Sequence, residues 1–133
     1  MTDFPDTLPP LTLTSSAETA RSYAALTQDW NPIHLDPEFA AKAGFERPIV
    51  HGTMALNLLV EAVEKGSDGA LRIADLDIRF AAPTWIGQAL TAQATREGGE
   101  TYAVSVTADD GRVVMRGNAR LTPRNPDQRK PTE

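Results

Sequence analysis

One apolar segment, from Thr53 to Lys65, limits the possible folds of this chain more than any other. If it forms a helix, apolar side chains cover most of its circumference, at Met54, Ala55, Leu56, Leu58, Leu59, Val60, Ala62 and Val63. The polar residues form only a narrow stripe, made of Asn57, Glu61, Glu64 and Lys65. A helix that is apolar nearly all round is wrapped by other structure. We therefore predict a buried central helix that runs to about Lys65 and is closed by Gly66.

The residues after Ser67 supply the cover for this helix. Apolar and polar side chains alternate in runs at 76–80, 90–95, 102–107 and 113–121, which is typical of half-buried strands. Glycine-containing turns at 97–100 and 109–111 predict hairpins. We predict an antiparallel meander curled around the central helix, which is the α+β hotdog fold. Such a sheet leaves edges and one face uncovered, so we expect a homodimer.

Two shorter helices are predicted before the central one. Ser15 and Glu18 have the Ser-x-x-Glu spacing of a capping box, and the apolar spacing favours a helix over 16–27. Asp36, followed by proline, is a typical cap for a second, short helix that Gly44 ends. Both histidines of the chain lie between the end of the first helix and the start of the central one.

Length and composition favour one domain. A chain of 133 residues with 41% apolar residues fills one compact core, and we assign that domain to residues 1–122. Residues 123–133 contain three prolines and no aliphatic or aromatic side chain, so we expect a disordered tail there.

Charge and residue usage exclude several function classes. The formal charge of −5 disfavours nucleic acid and anionic membranes as partners. No apolar run approaches the roughly 18 residues of a membrane span, and the first ten residues lack the features of a signal peptide. The chain has no cysteine, hence no disulfide, thiolate nucleophile or cysteine metal site. We therefore expect a cytoplasmic protein.

The stretch from Asp29 to Thr53 combines the groups needed for proton transfer beside a polarised carbonyl. Asp29 and His34 lie five residues apart in a proline-stiffened loop, close enough to hold one water or substrate proton between them. Asn31 lies between them and is placed to orient the water or the imidazole. The helix start at Gly52 and Thr53 offers free backbone N–H groups to a carbonyl oxygen that gains negative charge.

The same residues also have structural interpretations. Asp29 is placed to cap a turn, and His34 to occupy an ordinary surface or core position. For His51, beside the helix entry, we predict a structural role in which the imidazole bonds backbone and holds the loop. Trp30 and Phe45 are expected to pack. The two histidines and Asp29 are a poor metal-ligand set, since no His-x-x-x-His pair is present, and we predict no metal.

Taken together, these motifs resemble one enzyme family. The run Asp-x-Asn-Pro-x-His-x-Asp at 29–36, followed by Gly-Phe at 44–45 and Pro-Ile-Val-His-Gly at 48–52, resembles the hydratase motif of the MaoC-like dehydratases, the (R)-specific enoyl-CoA hydratases. The apolar helix that follows is also similar to that family, as is the segment 80–87 with its Pro-x-x-x-Gly ending. The resemblance extends from the first helix to Thr122.

The resemblance implies reversible addition of water to a trans-2-enoyl-CoA thioester, giving the (R)-3-hydroxyacyl product, with no cofactor beyond the CoA of the substrate. It implies that Asp29 and His34 hold the water, with Asp29 as general base and His34 relaying the proton to the α-carbon, although the division between the two stays open. Asn31 would position the site, and the N–H of Gly52 would bind the thioester carbonyl. Two alternatives remain: a hotdog acyl-CoA thioesterase, and a non-catalytic subunit of a hetero-oligomeric hydratase.

Two positions depart from the family pattern. Gln28 stands where the family commonly has glycine before the aspartate. Val60 stands where some relatives have a serine that bonds this aspartate, so we expect Asn31 or Thr53 to orient Asp29 instead.

The sequence indicates the carrier of the acyl group less specifically than it indicates the reaction. For the phosphates of coenzyme A the chain offers Arg47, Arg72, Arg79, Arg96 and Arg112, each of which also has an ordinary reading as a surface charge. Acyl carrier protein is the other usual carrier. The negative charge of the chain disfavours an acidic carrier protein.

Overall fold

A computed structural model describes residues 4–45 and 47–124 of the chain. In chain order the elements are β1 (Leu11–Thr14), α1 (Ala17–Thr27), α2 (Pro37–Lys42), α3 (Gly52–Gly66), β2 (Leu71–Phe80), β3 (Ala89–Gly98), β4 (Thr101–Ala108) and β5 (Val113–Pro123). A 3₁₀ turn, Pro32–His34, lies between α1 and α2. Among the described residues, no helix combines the length and apolar character needed to cross a membrane. Strand β5 runs one residue past the predicted domain boundary, and the predicted disorder of the tail concerns mainly residues outside the described ranges.

All five strands form one antiparallel sheet in the order β1-β3-β4-β5-β2. The two predicted hairpins, β3-β4 and β4-β5, are confirmed. The predicted four-strand meander is wrong at its first strand, because β2 pairs with β5 and not with β3. The connection after β2 is tied to the loop before α3 by the bond from Val50 N to Thr84 O, at 2.7 Å. Because β2 lies at one edge of the sheet and β3 lies next to the other edge, this connection crosses the sheet and does not turn back as a hairpin.

The central helix packs one face against the inner face of the sheet. Its buried residues are Met54, Ala55, Leu58, Leu59, Ala62 and Val63. They meet the buried side chains of the strands, which include Leu90, Tyr102, Val106, Met115 and Leu121. The opposite side of the helix is less covered than its sequence predicts, since Val60 is 43% exposed. The α+β hotdog arrangement is thus confirmed, but one side of α3 is left open within a single chain.

The cap of α1 differs from the prediction by one residue. Ser16, not Ser15, is the N-cap: Thr19 N donates to its hydroxyl at 3.1 Å, and Ser16 N donates to Thr19 Oγ1 at 2.8 Å. Ser15 is buried and bonds elsewhere, its hydroxyl donating to Gln88 O at 2.8 Å and accepting from Gly87 N at 3.0 Å. The Ser15–Glu18 box is therefore wrong because a distant loop binds Ser15.

The other helix ends follow local chemistry more closely. Asp36 caps α2 as predicted, and Gly44 has the left-handed φ of +95° that ends it. Gly66, predicted to lie just after α3 as its closing residue, is instead the last residue of the helix. The residues with left-handed φ follow at Asp68 and Gly69. A Cβ at Gly66 would lie 3.2 Å from Leu8 Cβ, so glycine there permits close packing of the N-terminal segment.

Candidate active site

Three residues meet between the end of α1 and the start of α3: Asp29, His34 and His51. The chain leaves α1 through Gln28, which has left-handed backbone angles (φ 60°, ψ 29°) and lets Asp29 N bond Ala24 O at 3.1 Å. The 3₁₀ turn then carries His34 back towards Asp29. The turn is capped by Asn31, whose side-chain oxygen accepts from Ile33 N at 3.1 Å.

The tautomer of His34 follows from its backbone contact. Its Nδ1 lies 2.9 Å from the carbonyl oxygen of Ile49. A carbonyl only accepts hydrogen bonds, so Nδ1 carries the proton and, in the neutral ring, Nε2 is an acceptor. That Nε2 atom lies 3.6 Å from Asp29 Oδ2. The imidazole is mostly buried and the carboxylate is about half exposed. In the neutral ring, an acceptor nitrogen and a carboxylate oxygen therefore face each other at the protein surface.

His51 lies directly beneath this pair. Its ring stacks on that of His34, with centroids 3.8 Å apart, and its Nε2 lies 3.1 Å from the backbone oxygen of Asp29. By the same reasoning Nε2 is the donor, and Nδ1 is the bare nitrogen. That Nδ1 is buried and has no hydrogen-bond partner among the described residues. Tyr23 contacts the ring from another side, at 5.1 Å. The bond to the Asp29 carbonyl is the kind of contact expected of a structural His51 that holds the loop, and this role stays a prediction.

Gly52, the first residue of α3, borders a cavity of about 310 Å³ that also reaches His34. Its backbone N–H is one of the helix N-terminal donors without an intrahelical partner. The cavity is mainly apolar, with Phe80, Leu90 and Val114 among its walls. The site therefore joins a helix N-terminus, an imidazole and an apolar pocket.

Two predicted positioning residues act differently from expectation. Asp29 Oδ1 accepts from the backbone N of Asn31 at 3.3 Å, so the contact uses the Asn31 main chain while its side chain caps the turn. Thr53 is exposed, and within the described residues no hydrogen bond joins it to Asp29. Besides the contact from Asn31 N to its side chain, Asp29 is held through its backbone by His51 and by α1.

The same three side chains also satisfy a coarse geometric test for a metal site. One ligand atom each from Asp29, His34 and His51 lies within 4.8 Å of the others. The donor chemistry fits a metal poorly, because His51 Nε2 directs its proton at the Asp29 carbonyl and offers no free lone pair there. A site that works without metal stays our prediction.

Some contacts at the site escape sequence reasoning. Ile49 acts through its carbonyl oxygen, for which no residue type gives a signal. Tyr23 reaches both the His51 ring and, through its hydroxyl, Asn57 Nδ2 at 2.7 Å. Its place on the apolar face of α1 was the available hint. The expectation that Trp30 packs is wrong, since it is 54% exposed, whereas Phe45 packs on Trp85 at 5.9 Å.

Comparison with known proteins places this site in a family. Residues 3–115 match the family model described as MaoC like domain. The chain is 40% identical over 79 residues to the (R)-specific enoyl-CoA hydratase of Aeromonas caviae, a match that covers 59% of this chain and 58% of that protein. It is 35% identical over 92 residues to the mouse peroxisomal multifunctional enzyme type 2, covering 68% of this chain and 12% of the enzyme. These matches thus span less than two thirds of each relative.

A solved structure shows the same fold. The (R)-hydratase from A. caviae involved in PHA biosynthesis superposes with a TM-score of 0.79 at 28% identity, covering 90% of this chain and 96% of that one. The family model covers most of the chain, including the loop with Asp29 and His34 and the start of α3. The chain therefore belongs to the MaoC-like dehydratase family.

Proposed function

We propose that this protein adds water reversibly to the double bond of a trans-2-enoyl-CoA and forms the (R)-3-hydroxyacyl-CoA. The observation that carries the proposal is the 3.6 Å approach of His34 Nε2 to Asp29 Oδ2, beside the N-terminus of α3. The named relatives, an enoyl-CoA hydratase among them, support the same reaction.

Two acceptors facing each other suit a water molecule as their common ligand. A water between Asp29 Oδ2 and His34 Nε2 donates one proton to each and turns a lone pair towards the substrate. Asp29 takes a proton as the oxygen bonds to C3, and the electron pair of the double bond moves towards the thioester oxygen. The proton passes to His34 Nε2, which delivers it to C2. The bond from His34 Nδ1 to Ile49 O holds the ring in the tautomer that this sequence of steps needs.

The developing negative charge needs a donor of its own. Within the described part of the chain the N–H of Gly52 has no hydrogen-bond partner, and Gly52 adjoins the cavity that reaches His34, which suits this donor to the thioester oxygen. In this proposal the apolar walls take the acyl part and no cofactor takes part. The reaction serves fatty acyl metabolism, and the absence of cysteine supports placing it in the cytoplasm.

Two alternatives can be separated from hydration by one pair of assays. A thioesterase releases free CoA thiol, whereas a hydratase removes the ultraviolet absorbance of the enoyl thioester without releasing thiol. We expect loss of the enoyl band of crotonyl-CoA and no thiol. Thiol release at the same rate would establish the thioesterase. If neither signal appears with crotonyl-CoA or a longer enoyl-CoA, the chain is a subunit that depends on another protein.

The proposed assembly is a homodimer. Within the described residues β2 pairs only with β5, so one edge of this strand of ten residues is unpaired. Beside it lie exposed apolar side chains, Val60 on α3 at 43% and Phe80 at the end of β2 at 55%. A two-fold pairing of β2 with a second copy would cover both the edge and the apolar patch. A structural neighbour from Mycobacterium tuberculosis is a complex of two different chains, ChsH1 and ChsH2. The alternative to a second copy at this edge is therefore a different protein chain.

Light scattering of the purified chain tests the assembly. We expect twice the monomer mass for the wild type and the monomer mass for Val60→Glu. The matched control is Leu26→Glu, at a position 78% exposed on α1, which leaves the mass unchanged. A wild-type monomer would contradict the homodimer and favour a second protein as partner.

A further inference from the structure

We propose that a groove on the outer side of His34, bounded by Arg21, Trp30 and Arg47, binds the nucleotide phosphates of coenzyme A. The inference rests on the hydratase proposal for its substrate and adds the residues that hold the nucleotide, which would distinguish free coenzyme A from a carrier protein. It assigns substrate binding to residues that take no part in the proton transfers.

The groove adjoins the candidate catalytic site at His34. Its volume is about 400 Å³, and His34 is one of its walls as well as a wall of the cavity at Gly52. The remaining lining is apolar, from residues such as Leu35, Pro48 and Ile86. A carrier whose thioester carbonyl lies at Gly52 would reach this groove by passing His34, the residue that the groove and the cavity share.

The two arginines of this groove have free guanidinium groups within the described part of the chain. Neither Arg21 nor Arg47 forms a salt bridge or a side-chain hydrogen bond with a described residue. Among the residues that the structure describes, no acidic one lines the groove. In a chain with a formal charge of −5, two unpaired cations on one concave surface are a local excess of positive charge suited to an anion.

The other candidate arginines are placed differently. Arg96 lies 4.0 Å from Asp6 and bonds Gly99 O, and Arg112 pairs with Asp110 at 2.8 Å while lying over the Trp85 ring. Arg72 and Arg79 belong to β2 and line cavities that do not include His34. Of the five arginines named from the sequence, Arg47 alone adjoins the catalytic histidine's groove, and the fold adds Arg21 to it.

The shape and the aromatic residue favour a nucleotide over a protein surface. Trp30 is 54% exposed on the same groove, and an exposed indole offers a stacking face to a purine base. Guanidinium groups hold phosphate oxygens in pairs of parallel hydrogen bonds. A concave groove with two arginines and one tryptophan thus matches the phosphates and adenine of coenzyme A.

The test compares two substrates that differ only in the nucleotide. Hydration of crotonyl-CoA and of crotonyl-pantetheine is measured with wild type, Arg21→Gln, Arg47→Gln and the double variant. Arg116→Gln, an exposed arginine on β5, is the matched control because it changes the net charge equally. We expect KM for crotonyl-CoA to rise about threefold in each single variant and about tenfold in the double variant, with kcat unchanged. KM for crotonyl-pantetheine should not change in any variant.

Salt provides a second readout. Raising the ionic strength should increase the wild-type KM for crotonyl-CoA, because salt screens the attraction between the two arginines and the phosphates. The KM of the double variant should stay nearly constant, because that variant lacks both arginines. Equal changes for both substrates, or an equal effect of Arg116→Gln, would overturn the proposal and favour a protein-bound carrier. If neither substrate is hydrated, the hydratase proposal fails, and calorimetric titration with coenzyme A then tests the groove by itself. Tighter binding of coenzyme A to wild type than to the double variant would support the groove as its binding site. Equal or absent binding would overturn that assignment.

Discussion

The imidazole rings of His34 and His51 stack with their centroids 3.8 Å apart and their planes 23° apart. Only His34 directs a free ring nitrogen at a carboxylate, because His51 gives its Nε2 proton to the backbone of Asp29. The two histidines of the chain therefore have different tasks. The buried one bonds the backbone of the loop, and the outer one faces the Asp29 carboxylate.

This division predicts that His51→Ala affects stability more than chemistry. The substitution removes a ring that is 1% exposed and the bond that holds the Asp29 carbonyl, so we expect the free energy of unfolding to fall by about 2–4 kcal/mol. Urea unfolding and kcat per folded molecule check it. His51→Phe, which keeps a ring without the donor, should recover part of the stability. Unchanged stability with a large loss of kcat would place His51 in the chemistry.

Gln28 shows how the chain replaces a glycine that its family commonly has. Its φ of 60° is a left-handed conformation that costs a non-glycine residue about 1 kcal/mol. Gln28→Gly relieves this cost but loses the exposed bond from Gln28 Nε2 to Ala25 O and adds freedom to the unfolded chain. We expect stability to be unchanged or raised by up to about 1 kcal/mol, with activity retained. Gln28→Val should be clearly destabilised, and equal stability of the two variants would contradict the assigned backbone conformation.

Gly117 predicts a strong effect far from the site. It pairs with Ile78 across β2 and β5, and an added Cβ would overlap the carbonyl oxygen of Asp77 and lie 2.7 Å from Ile78 Cα. Backbone atoms in a sheet yield little, so Gly117→Ala should cost about 3 kcal/mol. Gly98→Ala is the control, since a Cβ there meets nothing within 4 Å. Thermal unfolding compares the two, and equal melting temperatures would contradict the close β2–β5 approach.

Tyr102 should make the fold sensitive to alkali. Burial raises the pKa of its hydroxyl, which donates to Pro5 O at 2.6 Å. The native state therefore holds this proton more tightly than the unfolded state, and its contribution is complete below the ordinary value near 10 and lost as pH rises through the higher native pKa. We expect Tyr102→Phe to lower stability by about 1 kcal/mol at neutral pH and to weaken the decline above pH 10. Parallel wild-type and variant curves of stability against pH would contradict this role.

The central helix and the strands with alternating side chains could be predicted because the spacing of apolar residues within each segment indicates its secondary structure. The pairing of β2 could not, since it depends on where the 81–88 connection is held by the loop before α3. The prediction of Ser15 as the cap was wrong for a similar reason. Its hydroxyl forms hydrogen bonds with the backbone of Gly87 and Gln88, which are distant in sequence. Errors thus occurred where long-range contacts override a local signal.

Prediction of the candidate site was strongest for side chains and weakest for backbone. The short spacing of Asp29 and His34 in the sequence predicted that the two side chains lie close together, and the structure brings them together. The carbonyl oxygens of Ile49 and Asp29, which set the tautomers of both histidines, leave no mark in the residue types. Asn31 has the right position in the loop, but its side chain caps the 3₁₀ turn. The exposure of Trp30 also needed the folded chain.

The most direct test of the central claim is the ultraviolet absorbance of crotonyl-CoA with wild type, Asp29→Asn and His34→Gln, beside the melting temperature of each protein. Because the two side chains would act together on one water, we expect wild type alone to remove the enoyl band. Since the Asp29 side chain is about half exposed and glutamine keeps a polar side chain at position 34, we expect the three melting temperatures to be nearly equal. Turnover by either variant near the wild-type rate, with a lowered melting temperature, would show that Asp29 and His34 support the fold and do not carry the reaction.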